Sequence, residues 1–378
     1  MHKKKRVLFI ALLNTFGGAE IYVCNLISLL KDQADCYALC SHPEVARRLR
    51  AAQVETLCLP SGGRWVKLLR FLMSPFAMAW MILRHRIDIV QINGFFEAIL
   101  LIPARLLGCL AISTRHITFE QASEPHPSLG WIIDEFIYRH AVRFANRVIC
   151  VSAAVGAQVR ALLPSMPTIV IPNWIPQVPP RMRESFTLHR PARVLFVGRL
   201  EKMKGLHVLI EALKGMQNLT LTVVGDGDRR QELEQQAEVL DARFVGYQAD
   251  PGAYYSGADV VVNPSLGPEG SSIVALEAMA RGVPCLLSDL PVFREVTEDG
   301  SAAMLFQTGD VQHLREQLLR LLADETLRRK YGYYGYRMVQ AKHSVAVARR
   351  HYSHAFEIVV APTGSSPLPN REGVASSL

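Results

Sequence analysis

Short apolar runs, each too brief to be a helix, alternate with longer stretches of helical periodicity, and the whole alternation occurs twice. In the first half the runs are "RVLFIALL" (6–13), "DIVQING" (88–94), "LAIST" (110–114), "RVICVS" (147–152) and "TIVIPN" (168–173). Between them "AEIYVCNLISLLKDQ" (19–33) places apolar residues at helical spacing, and Trp131–Phe144 forms a second helix candidate. Residues 172–192 then break the rhythm with five prolines. It restarts with "RVLFVGRL" (193–200), a helix from about Leu206, "LTVVGDGD" (221–228) and a helix near Arg230–Val239. "ARFVGY" (242–247), "DVVVNPS" (259–265), a helix near Ile273–Ala280 and "PCLLSD" (284–289) complete it. Strands that alternate with helices predict parallel sheets. Two such halves around a hinge predict a ligand cleft between two sheets.

The boundaries follow. Residues 1–172 form a first Rossmann-like domain, 173–192 a linker and 193–335 a second Rossmann-like domain. A C-terminal helix over 336–361 returns to the first domain, and the Pro/Ser/Gly-rich 362–378 is a disordered tail. At 378 residues, 49% of them hydrophobic and 20% charged, the chain can build two cores. A net charge of +8 suits an anionic partner. The basic start "MHKKKRVLFIALLN" leads into "NTFGGAE" with no small-residue cleavage site, so the run is read as a buried strand. Phe71–Leu83 contains a proline and is shorter than the roughly 20 residues of a spanning helix. Seven cysteines without a CxxC pair suggest reduced thiols in a cytosolic setting, and no zinc pattern is present.

Three segments concentrate the chemistry. "PEGSSIVALEAMARGVP" (268–284) sets Glu269 and Glu277 eight positions apart, with Ser271 and Ser272 at a helix start where backbone N–H groups favour a phosphate. Taken alone, the pair favours a capping region with two solvated glutamates. "LFVGRLEKMKGLHVLIEAL" (195–213) carries Arg199 and Lys204 in a strand-to-helix loop. A planar fork and a point charge suit a diphosphate, although such cations more often face solvent. "NTFGGAEIYV" (14–23) places Gly17 and Gly18 where a ligand could approach the backbone, or where a tight turn needs them.

Together these motifs resemble the retaining glycosyltransferases of family four, of GT-B fold. "GGAE", "VSAAVGAQVR", "IPN", "GRLEKMKG", "EAMARGVP" and "HLREQLLRLLADETLRRK" occur in the expected order over about residues 6–358. The resemblance implies two Rossmann-like domains facing each other across a cleft, and sugar transfer from a nucleotide-diphosphate sugar to a hydroxyl acceptor. By it, Arg199 and Lys204 neutralise the leaving diphosphate, and the backbone of Ser272 and Ile273 holds the same phosphates. Glu277 holds the ribose, Glu269 the transferred sugar, and Val245 and Gly246 of "FVGYQ" line the base pocket. His116 becomes a positioning or proton-handling group. No cofactor and no metal are expected, since the two cations supply the charge. A front-face, leaving-group-assisted route is expected in place of a covalent intermediate.

Two departures stand out. Arg115 replaces a small or hydroxylated residue and either touches phosphate or faces solvent. Ser271-Ser272 replaces Phe-Gly, which leaves the sugar subsite and the donor's identity open.

"RWVKLLRFLMSPFAMAWMILRHR" (64–86) mixes cations with Trp, Phe and Met. It fits either an anionic bilayer surface or a core helix pair with exposed cations. The bilayer reading implies a saccharide or glycolipid acceptor at the inner face of the plasma membrane, in a cytoplasmic, peripherally bound enzyme of bacterial cell-surface polysaccharide synthesis. The alternatives are a nucleotide-sugar epimerase of the same architecture and a non-catalytic sugar-nucleotide-binding protein. A dinucleotide fingerprint fails at Arg230, which stands where "VVGDGDRR" would need its third glycine. No basic-aromatic reader motif supports nucleic acid as a partner.

Overall fold

The computed structural model describes residues 4–12, 17–94, 96–117, 129–179, 181–267 and 269–358, so the tail expected over 362–378 lies outside them. The first domain is a seven-stranded sheet. Its strands are β1 (Arg6–Ala11), β2 (Asp35–Cys40), β3 (Glu55–Cys58), β4 (Ile89–Asn93), β5 (Leu110–Arg115), β6 (Arg147–Cys150) and β7 (Thr168–Val170). Their order is β3-β2-β1-β4-β5-β6-β7, every pair parallel. The second domain has β8 (Ala192–Val197), β9 (Leu219–Val224), β10 (Ala242–Phe244), β11 (Val260–Asn263), β12 (Cys285–Ser288) and β13 (Met304–Phe306). Their order is β10-β9-β8-β11-β12-β13, also all parallel.

Continuous apolar strands arise because helices cover both faces. Val7, Phe9 and Ala11 of β1 enter one core, while Leu8 and Ile10 enter the core on the opposite face. Truncating one such side chain, Phe9→Ala, costs about 3–5 kcal/mol. In each sheet the strand order reverses next to the first strand, between β1 and β4 and between β8 and β11. Ligands of open α/β sheets bind beyond the strands' carboxyl ends at such a reversal.

The helix expected over 336–361 is two helices. Glu325–Lys342 stays with the second domain, where Met338 and Val339 enter its core. Val345–Ala355 crosses to the first, where Tyr352 and Phe356 are buried in the sheet's core and the Tyr352 hydroxyl lies 2.5 Å from that of Tyr22. The crossing is tied to the linker: His343 Nδ1 meets the Asn173 carbonyl at 2.7 Å, and Ile175 N–H donates to the His343 carbonyl at 2.9 Å.

Residues 64–86 also differ from expectation. They form one helix, Arg64–His85, running through Pro75, and not a short run or a helix pair. The proline removes the N–H that would bond the Phe71 carbonyl, and Ser74 Oγ donates to that carbonyl instead at 3.1 Å. Its span Trp65–His85 is long and apolar enough to cross a membrane. Met78, Met81 and Ile82 enter the core and Arg70 and Ser74 are also buried, whereas Trp65 and Phe76 are each 78% exposed, with Leu68, Leu72, Trp80 and Leu83 also outward.

Candidate active site

A cleft of about 390 Å³ opens between the carboxyl edges of the two sheets. It lies within the size range of small-ligand sites. One wall comes from the first domain, with Gly17, Gly18 and Glu20 after β1, His116 and Ile117 after β5, and Asn173 from the linker. The other comes from the second, with Gly198, Arg199 and Lys204 after β8 and Asn263, Glu269, Gly270, Ser271, Ser272 and Ile273 at and after β11.

Lys204 is placed by the residue that follows it. Gly205 sits at φ +70, where a side chain is strained, and a Cβ there would meet the Pro264 carbonyl oxygen at 1.9 Å. The turn can therefore pack tightly against the β11 loop. Lys204 Nζ consequently reaches Glu269 Oε1 at 2.5 Å, and Ser265 Oγ donates to the same oxygen at 2.6 Å. Glu269 Oε2 has no hydrogen-bond partner among the described residues and remains available to a ligand. Arg199 is more exposed and pairs with Glu201 at 2.6 Å. Ser272 is the N-cap of helix Ile273–Met279: its Oγ accepts from Ala275 N–H and from Asn263 Nδ2, both at 3.1 Å. With its hydroxyl so engaged, what Ser272 can offer a phosphate is its main chain. The N–H groups of a first helical turn have no intrahelical partner.

His116 faces these groups from the first domain. Its Nε2 lies 3.0 Å from Asn93 Oδ1, which also accepts from Gln91 Nε2, so Nε2 carries the proton and Nδ1 is the acceptor. Burial, helped by the Arg115 charge, holds its pKa at about 4. The ring is therefore neutral near pH 7, and it packs edge-on to Tyr22 at 4.5 Å between centroids. Arg115 neither touches the cleft nor faces solvent. It is 2% exposed, paired with Glu135 at 3.3 Å over the Tyr138 ring, and its Nε donates to the Ile117 carbonyl at 2.9 Å. It braces the turn that carries His116.

Of the residues singled out from the sequence, Gly17, Gly18, His116, Arg199, Lys204, Glu269, Ser271, Ser272 and Ile273 meet in the cleft. Glu277, Val245 and Gly246 are not part of its lining. Glu277 accepts from the Tyr255 hydroxyl at 2.8 Å, and burial raises its carboxyl pKa. Val245 and Gly246 follow β10 at the same carboxyl edge of the sheet. Among the cleft residues that the sequence motifs leave unassigned are Glu20, Asn173, Asn263 and Gly270. Gly270 directly follows Glu269, Glu20 stands two residues after Gly18, and Asn173 ends the quoted "IPN". The signal was adjacency to a motif, which says nothing about burial.

Residues 16–177 match the family model Glycosyltransferase Family 4, and residues 180–338 match Glycosyl transferases group 1. Over 146 residues the chain is 40% identical to a phosphatidyl-myo-inositol mannosyltransferase of Mycobacterium leprae, covering 36% of this chain and 39% of that enzyme. It is 30% identical over 222 residues to the lipopolysaccharide core biosynthesis glycosyltransferase LpsD of Rhizobium meliloti, covering 57% of this chain and 64% of that one. The match thus spans about two fifths of the mannosyltransferase and somewhat under two thirds of LpsD. Anabaena HepE, solved in complex with UDP, superposes with a TM-score of 0.77 at 18% identity, over 94% of this chain and all of the other. That likeness establishes the fold as GT-B. Both halves match in the order and position their motifs led one to expect, and the chain belongs to glycosyltransferase family 4.

Proposed function

We propose that the chain transfers a sugar from a nucleotide-diphosphate sugar to a hydroxyl of a saccharide or glycolipid acceptor, keeping the anomeric configuration. The observation that carries this reading is the meeting of Lys204 and Arg199 with the open Glu269 carboxylate on one wall, opposite His116 on the other. The acceptor oxygen attacks the anomeric carbon on the face from which the diphosphate leaves. The bond from that carbon to the phosphate oxygen breaks, its electron pair stays on the phosphate, and the acceptor's proton passes to it. Lys204 and Arg199 neutralise the growing charge, so no bound metal is called for. Fixed groups of this kind are worth roughly 10²–10³ in rate each. Neutral His116 acts as a hydrogen-bonding group that orients a hydroxyl. Glu277 takes the ribose, and Val245 and Gly246 the base, with the nucleoside extending along the sheet edge towards β10.

The relatives' names favour a lipid-linked acceptor, since one is a phosphatidyl-myo-inositol mannosyltransferase and another serves lipopolysaccharide core synthesis. Helix Arg64–His85 agrees: its outward apolar stripe, with Lys67, Arg84 and Arg86 along it, suits the anionic inner face of the plasma membrane. We place the enzyme there, peripherally bound, in cell-surface polysaccharide synthesis.

The test is thermal shift against UDP-, GDP-, ADP- and TDP-sugars, followed by product analysis with and without a lipid-linked saccharide. A cognate donor at 100 times its Kd stabilises by about 2.7 kcal/mol. Glycosylated acceptor is the expected product. Failure of every donor to raise the melting temperature, or conversion of donor to its epimer without acceptor, would overturn the reading.

A further inference from the structure

Glu20 lies in the first turn of helix Gly18–Leu30, on the first-domain wall of the cleft, and is 2% exposed. Its Oε2 accepts the Gly17 N–H at 3.0 Å and so caps the helix. Its Oε1 is buried and has no hydrogen-bond partner among the described residues. Capping needs one oxygen, and leaving the other buried and unpaired is costly. Asn173 repeats the pattern on the same wall: it is 6% exposed, its Oδ1 is buried without a partner, and its main-chain carbonyl is already taken by His343. Across the cleft stands Arg199.

Two buried oxygens without donors among the described residues call for a ligand group that brings O–H protons. A diphosphate brings only acceptors and negative charge. With the diphosphate against Arg199 and Lys204, the part of a nucleotide sugar that carries hydroxyls into this space is the sugar. We infer that Glu20 Oε1, together with Asn173 Oδ1, accepts hydrogen bonds from hydroxyls of the donor's sugar, so that the first domain reads the sugar from the side opposite Glu269. This rests on the cleft holding a nucleotide sugar.

Glu20→Gln separates this role from capping. Glutamine keeps an oxygen for Gly17 N–H and places an amide NH₂ where a hydroxyl must donate. Calorimetry on the full chain compares UDP with UDP-glucose and GDP with GDP-mannose, with melting temperature measured alongside. The pair that the wild-type chain binds is the one read. In Glu20→Gln, affinity for that nucleotide sugar is expected to fall about ten- to a hundredfold, while affinity for the free nucleotide and the melting temperature hold. Unchanged sugar affinity, equal loss for nucleotide and nucleotide sugar, or a melting temperature lowered as far as in Glu20→Ala would each leave Glu20 a helix cap alone and overturn the inference. A wild-type chain that binds neither pair would overturn the cleft's function and this role with it.

Discussion

Gly270→Ala is expected to disable the enzyme without unfolding it. Gly270 belongs to the second domain, yet a Cβ built on it would lie 1.5 Å from the His116 carbonyl oxygen, 2.4 Å from the His116 carbonyl carbon and 3.0 Å from Ile117 Cα in the first. Real Cβ atoms stay at least 3.0 Å from such atoms, so the two backbones must part by about 1.5 Å. In the first domain Arg115 holds the Ile117 carbonyl and Asn93 the His116 ring, so a local shift there breaks hydrogen bonds. The loop carrying Glu269 and Ser271 must therefore move, or the cleft must stay ajar. Misplacement by about 1 Å at a reacting centre costs on the order of 10²-fold. Steady-state kinetics should show that loss in kcat/KM, with the melting temperature nearly unchanged because neither core is touched. Wild-type turnover in Gly270→Ala would refute the idea that the domains work in this contact.

Further expectations concern other parts of the molecule. Arg199→Ala and Lys204→Ala should each lower kcat by roughly 10²–10³ with circular dichroism unchanged, and chelation with EDTA should leave the wild-type rate intact. Gly18→Ala, whose Cβ would meet nothing within 4 Å, should fold normally; any loss it shows in donor affinity would report a ligand passing that backbone. The folded-state pKa of His116, about 4, lies below its ordinary 6.5, so the unfolded chain binds the extra proton between those values. The stability contributed by the neutral ring is complete above pH 6.5 and drains as pH falls towards 4, and denaturant titrations of His116→Gln should show a shallower loss over that window. Trp65→Glu with Phe76→Glu should abolish co-sedimentation with anionic vesicles while sparing the fold, because each burial is worth about 1.5–3 kcal/mol.

The central strands were legible because most of their residues are buried and apolar. β1, β8 and β11 carry the apolar runs Val7–Ala11, Val194–Val197 and Val260–Val262, and β4 is buried throughout although it includes Gln91 and Asn93. β2 ("DCYALC"), β3 and β13 escaped notice: the first carries an aspartate and half-buried positions, and the others are four and three residues long. Arg199, Lys204 and Glu269 were readable because they sit in short motifs in the loops that follow β8 and β11. Glu20 and Gly270 were hidden for the opposite reason. Their importance lies in what approaches them from distant sequence, a missing donor in one case and a neighbouring backbone in the other. The continuity of helix Arg64–His85 is hidden in the sequence because a proline interrupts it, whereas Ser74 donates to the carbonyl that the proline frees. Arg115 reads from the sequence as a phosphate contact or a solvent-facing cation, and only the fold brings Glu135 to it.

A crystal structure of the chain with a nucleotide sugar is the most direct test of where the diphosphate sits. The phosphates are expected against Lys204 Nζ, the Arg199 guanidinium and the main-chain N–H groups of Ser272 and Ile273, with the sugar turned towards Glu20 and His116. A nucleotide sugar bound elsewhere, with Lys204 still on Glu269 and Arg199 still on Glu201, would contradict it.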